Sequence, residues 1–87
     1  MSAHPSHPDI VKRLKRAEGH LRSIVAMLEE GRDCLEIAQQ MQAVESAVGS
    51  AKKTLVHDHI DRCLEHAVDG ASPRRAIREF KAIAKYL

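Results

Sequence analysis

The sequence predicts an all-α protein with three helices per chain, dimeric or larger, and three observations carry that reading. Apolar residues recur at three- and four-residue steps along most of the chain, and no segment shows the alternation of a strand. Prolines fall only ahead of Asp9 and at position 73, and Gly31 and Asp69-Gly70 mark the breaks between the periodic segments. The chain has 87 residues, 44% of them hydrophobic, yet Phe80 and Tyr86 are its only aromatics. A domain of that size and composition is marginal alone, and without disulfides the usual remedy is association with further copies.

The tail spans residues 1–8, where Pro5 and Pro8 oppose a helix, and it is expected to be flexible; residues 9–87 are expected to form a single helical domain. Asp9 is placed to cap the first helix. From Ile10 onward, Val11, Leu14, Ala17, Leu21, Ile24, Val25 and Leu28 make one amphipathic face, and Gly31 ends it. Asp33 is the natural N-cap of a second helix, with Glu36 completing an acidic variant of the capping box. That helix runs from Cys34 to about Ala67, with no Pro and one Gly. Leu35, Ile37, Ala38, Met41, Val44, Val48, Ala51, Leu55 and Val56 supply its apolar face, and it is too long for one small core to cover. Asp69 and Gly70 stop it. Ser72-Pro73 then joins an N-cap to a first-turn proline. Ala76, Ile77, Phe80, Ile83, Ala84 and Leu87 are expected as the buried stripe of a shorter third helix.

Several function classes recede on composition. The start Met1-Ser2-Ala3-His4-Pro5 lacks the basic and apolar regions of a secretory signal, and no apolar run approaches the length of a membrane span. A soluble, cytoplasmic chain with reduced thiols and no membrane partner is therefore expected. Neither a carboxylate pair, a Gly-rich loop nor a nucleophile-base-orienter set is evident, so an enzyme is not expected.

Cys34, His59 and Cys63 carry the chemistry. At about 1.5 Å rise per residue, Cys34 and Cys63 stand roughly 43 Å apart on a continuous helix, whereas His59 and Cys63 are one turn apart on one face. If the three work together, two subunits must build the site. An antiparallel pair of second helices that sets Cys34 against Cys63 brings together residues whose numbers sum to about 97. The two-fold axis then falls near Val48 and Gly49, within the small-residue stretch Ala43, Ser46, Ala47, Gly49, Ser50 and Ala51. Each member has an ordinary explanation, since a helical Cys is commonly just a small buried hydrophobe; the set is what points to function. Two thiolates and one imidazole suit Cu(I) in a three-ligand site, whereas zinc would recruit a fourth ligand or water. A Cys beside a His also leaves redox or persulfide chemistry open.

Basic residues are unevenly placed although the formal net charge is only +2. Lys12, Arg13, Lys15 and Arg16 crowd the first helix, with Arg22 further along, and Lys52 and Lys53 lie near the proposed two-fold axis. Such clusters are ordinarily solvated faces. Dimerisation would duplicate them into a surface able to follow phosphates. With no helix-turn-helix, zinc finger or basic zipper in view, DNA contact would lean on backbone charge and duplex shape.

The arrangement resembles the copper-sensitive operon repressor (CsoR) family of bacterial metal and thiol sensors. The likeness covers nearly all of the chain after the tail: Arg13-Leu14-Lys15-Arg16, Glu18-Gly19-His20-Leu21, Asp33-Cys34 with Gln39-Gln40 and Ala43-Val44, and Leu55-Val56-His57-Asp58-His59 ending in Cys63. It implies an all-α homodimer built on antiparallel second helices, often paired into a homotetramer, that binds operator DNA and lets it go when the inducer occupies the Cys/His/Cys site. It further implies that Cys34 comes from one subunit and His59 and Cys63 from the other. Glu79 falls where family members carry a carboxylate that bonds the ligand imidazole. Arg13 and Lys53 match family DNA-contacting cations. Asp33 replaces the tyrosine common in copper sensors, and Ser50 departs from the arginine of a relative.

Alternatives stay open at this point. Persulfide sensors of the family resemble the chain around Glu30-Gly31 and Asp33-Cys34, with Cys34 and Cys63 as the reacting thiols; a ligating His59 is not expected in them. A nickel or cobalt sensor is a third reading, and Ser2-Ala3-His4 would offer it a nitrogen site if Met1 is removed. His7, His20, His57 and His66 read as solvated or locally bonded. The reading from a different class is a small helical interaction protein whose cysteines are inert.

Overall fold

The computed structural model describes residues 6–69 and 72–87, so the expectations placed on residues 1–5, His4 included, and on Gly70 lie outside the described residues. Three helices account for the fold: α1, His7–Glu29; α2, Cys34–Asp69; and α3, Pro73–Ala84. No strand occurs among the described residues. The first helix begins two residues before Asp9, with Pro8 in its opening turn and Ser6 at the N-cap position. Proline is tolerated there because the first-turn amides lack intrahelical partners in any case. Asp9 therefore does not cap α1; its carboxylate pairs with Arg13 one turn on, at 2.9 Å.

Gly31 adopts a left-handed conformation at φ 72°, which a side chain would strain, and this lets the chain reverse into α2. Asp33 caps α2 as expected, its Oδ2 accepting the Glu36 amide at 3.3 Å. The Glu36 carboxylate is engaged by Arg32 at 2.6 Å.

Both shorter helices pack on α2 and not on each other. Contacts from α1 reach Gln40, Thr54 and Asp58, so it runs antiparallel along the first two-thirds of α2. α3 folds back over the remainder. The shape that follows is long and thin, 57 × 23 × 13 Å, with a radius of gyration of 17.7 Å, where a compact chain of this length has about 12 Å. The exposed area is 6760 Å², against about 5,100 Å² for a compact protein of 9.7 kDa.

The core is correspondingly narrow. On α1 only Ile10, Ala17 and Ile24, seven residues apart, are buried; the flanking Val11, Leu14, Leu21, Val25 and Leu28 are exposed. On α2 a second set with seven-residue spacing, Met41, Val48 and Leu55, faces solvent. The expected buried stripe of α3 is corrected more sharply: Ala76 is buried, but Ile77, Phe80 and Leu87 are exposed and Ile83 and Ala84 are partly covered. Periodicity identifies an apolar face correctly, yet a single chain has too few helices to cover it.

Candidate metal centre

Local folding sets the pair His59 and Cys63. Both lie in an unbroken stretch of α2, and the four-residue spacing brings them to one face. Ser72 and Pro73 restart the chain so that α3 returns along that face, burying Cys63 beneath Ala76 and its neighbours to 3% exposure. The return also delivers Glu79. One donor atom from each of His59, Cys63 and Glu79 lies within 4.8 Å of the other two.

The electrostatics follow from that burial. Loss of solvent pushes the Cys63 thiol above its ordinary value, and the negative charge of Glu79 pushes the same way. Cys63 is thus held as a neutral thiol at neutral pH, and a metal must displace its proton. Glu79 is 38% exposed on its side chain and accepts from Arg75 Nε at 3.3 Å one turn earlier on α3. Beside the cluster, Cys63, Leu64, Ala67, Ala76, Ile77 and Phe80 line an apolar hollow.

Cys34 is elsewhere. It stands exposed at the first turn of α2, the far end of the helix from Cys63. The structure therefore brings two of the three sequence-derived ligands together, adds Glu79, and leaves the third out of reach within one chain.

The basic residues form a separate region. Lys12, Lys15, Arg16, Lys52 and Lys53 are exposed, while Arg13 is partly committed to Asp9 and to Thr54, at 3.4 Å. Arg13, Arg16 and His20 share one cleft with Ala47 and Ser50 of α2. Residue spacing missed the contribution of His20, whose Nε2 sits 2.6 Å from Gln40 Oε1 and ties the two helices together. The only signal would have been both residues facing the seam between α1 and α2.

The likeness to known proteins extends over nearly the whole chain. Residues 6–86 match the family described as metal-sensitive transcriptional repressor. The chain is 34% identical over 76 residues to the copper-sensing transcriptional repressor CsoR of Mycobacterium ulcerans (strain Agy99), covering 87% of this chain and 65% of that one. It is 36% identical over 76 residues to the copper-sensing transcriptional repressor CsoR of Bacillus subtilis (strain 168), covering 87% and 75%. It is 39% identical over 62 residues to the copper-sensing transcriptional repressor RicR of Mycobacterium tuberculosis (strain ATCC 25618 / H37Rv), covering 71% and 65%. The chain thus spans about 65% of the length of these mycobacterial relatives. Among solved structures it resembles the nickel-responsive transcriptional regulator InrS, with a TM-score of 0.85, 28% identity, and 100% and 99% of the two chains covered.

Proposed function

Because the chain belongs to the metal-sensitive transcriptional repressor family, we propose that it is a repressor that binds operator DNA without metal and releases it when Cu(I) is held between two protomers by Cys34 of one and His59 and Cys63 of the other. The observation that carries this reading is the split of the donors: His59 and Cys63 converge at one end of α2 while Cys34 stands exposed at the opposite end. An antiparallel partner helix supplies the missing thiol. A register within one residue of that opposition sets Val48 beside its own copy and Met41 beside Leu55 of the second chain, and these three residues are exposed on α2. Seven-residue spacing of apolar side chains is the pattern by which two helices pack along their length.

The donor chemistry supports a soft ion. Two sulfurs and an imidazole favour Cu(I), and three protein ligands complete its coordination. When bound, the ion supplies bonds that exist in only one arrangement of the two protomers. Glu79 can accept from the ring nitrogen of His59 that is not ligating, holding its tautomer and linking the site to α3. The exposed cations of α1 and α2 face phosphates in the apo form, and a ligand that favours the other arrangement shifts the population away from DNA. Two such dimers would associate as a homotetramer through the exposed apolar residues of α1.

Nickel is the second reading, favoured by the likeness to a nickel-responsive regulator. One experiment separates them: anaerobic titration of wild type and His59→Ala with Cu(I) and with Ni(II), reading metal binding and operator release in the same samples. Release by Cu(I) at one equivalent per protomer, lost in His59→Ala, is expected. An operator complex that survives saturating Cu(I) overturns the proposal.

A further inference from the structure

The geometry points to a second mode of metal binding, in which a divalent ion such as Co(II) or Zn(II) is held inside one protomer by His59, Cys63 and Glu79. Two donors come from a single turn of α2 and one from α3, all within 4.8 Å of one another. Tetrahedral bonds of about 2.0–2.3 Å place donor atoms about 3.3–3.7 Å apart. Closing the trio takes a shortening of roughly 1 Å, within the reach of side-chain rotation on two packed helices. One sulfur, one nitrogen and one carboxylate oxygen make a borderline donor set, which suits Zn(II) and Co(II), whereas Cu(I) has little use for the carboxylate.

The surroundings fit that occupant. Arg75 holds one oxygen of Glu79, and a carboxylate has a second to offer. Glu79 is open enough to solvent for water to take the fourth position. On binding, the Cys63 S–H bond breaks, its proton leaves to solvent, and a sulfur–metal bond forms with no change of oxidation state. Cys34 of the same chain, about 43 Å away along α2, cannot reach the ion, and water rather than the partner's Cys34 fills the fourth position. This site stands on the geometry of the protomer alone, but its consequence rests on the repressor reading. An ion satisfied by one protomer makes no demand on Cys34 of a second, so divalent ions can occupy the sensor without joining its subunits.

The test is anaerobic Co(II) titration of the full chain and of Cys34→Ser, Cys63→Ser and Glu79→Gln, with circular dichroism to verify folding. In Cys34→Ser, Co(II) affinity should stay within about threefold of wild type, with the thiolate-to-cobalt absorption and the visible bands of tetrahedral cobalt retained. Cys63→Ser should abolish the thiolate band, and Glu79→Gln should weaken binding at least tenfold and change the visible bands. Loss of the thiolate band or tenfold weaker binding in Cys34→Ser overturns the inference. So do unchanged affinity and spectrum in Glu79→Gln. Cys34→Ser changes an exposed residue, so its arm remains decisive if Glu79→Gln does not fold. Cu(I) titration of the same Cys34→Ser protein separates the two readings: unaltered Cu(I) affinity there sinks the inter-protomer copper site and leaves the divalent site standing.

Discussion

Ser6 Oγ donates a 2.7 Å hydrogen bond to Asp58 Oδ2, joining the start of α1 to the residue immediately before His59. A part-buried bond to a carboxylate is worth more than a neutral one, and losing the donor leaves Asp58 to its remaining contacts. Arg62 Nε stands 4.0 Å from the other oxygen of Asp58. Ser6→Ala should therefore destabilise the protein by about 1 kcal/mol, and Asp58→Ala by more, because it also removes the carboxylate facing Arg62. Thermal unfolding followed by circular dichroism checks the order. A Ser6→Ala variant as stable as wild type would show that the start of α1 is not held by this bond.

Assembly should hinge on the middle of α2. Val48 is 44% exposed in the protomer, and a Cβ added at Gly49 would meet nothing within 4 Å, so this surface is open in a single chain. If the proposed two-fold axis passes near Val48, a charge there faces its own copy. Val48→Glu should weaken dimerisation at least a hundredfold, since two carboxylates would be buried together. Sedimentation equilibrium measures it, and Cu(I) binding should fall in parallel. A Val48→Glu protein that remains dimeric places the interface elsewhere.

The raised thiol of Cys63 gives a pH dependence of definite sign. A group whose pKa is higher in the folded state stabilises the fold fully below its unfolded value and loses that contribution as pH rises through the folded one. Stability against urea should therefore decline above about pH 9 in wild type, and less so in Cys63→Ala. Metal binding runs the other way, because each displaced proton raises affinity about tenfold per pH unit below the thiol pKa. Competition titrations between pH 6 and 8 should show Cu(I) affinity rising across that window. A flat profile would mean that Cu(I) binding displaces no thiol proton, from Cys63 or from Cys34, in that window.

Local signals made much of this fold legible. Asp33 as the cap of α2, and Ser72-Pro73 as the start of α3, need only their nearest neighbours to act, and both starts stand where the residues place them. The start of α1 was misplaced because Pro8 reads equally as a breaker or as a first-turn residue. His59 and Cys63 were visible as a pair because a helix fixes their spacing. Spacing alone does not identify Glu79, which lies on another helix and reaches the cluster only through the turn before Pro73; family likeness was its one signal. Burial was the least legible property. Ile77 and Phe80 sit on an apolar face, but what covers that face is a matter of tertiary and quaternary packing that periodicity does not encode.

The cations should contribute unequally to DNA binding. Arg13 already spends charge on Asp9 at 2.9 Å, whereas Arg16 has no ion pair among the described residues and shares the cleft with His20 and Ser50. Lys52 and Lys53 are exposed on the adjoining face of α2. Each phosphate neutralised adds about 0.9 to the slope of log affinity against log salt, and a dimer doubles every contact. Arg16→Ala and Lys53→Ala should each reduce that slope by about 1 to 2 and weaken binding across unrelated sequences, while Arg13→Ala should do less. Fluorescence anisotropy with an operator fragment between 50 and 200 mM salt reads the slope, and Cu(I) affinity of the same variants should not change. Equal slopes for wild type and Arg16→Ala would mean that the face of α1 holding this arginine does not touch the phosphates.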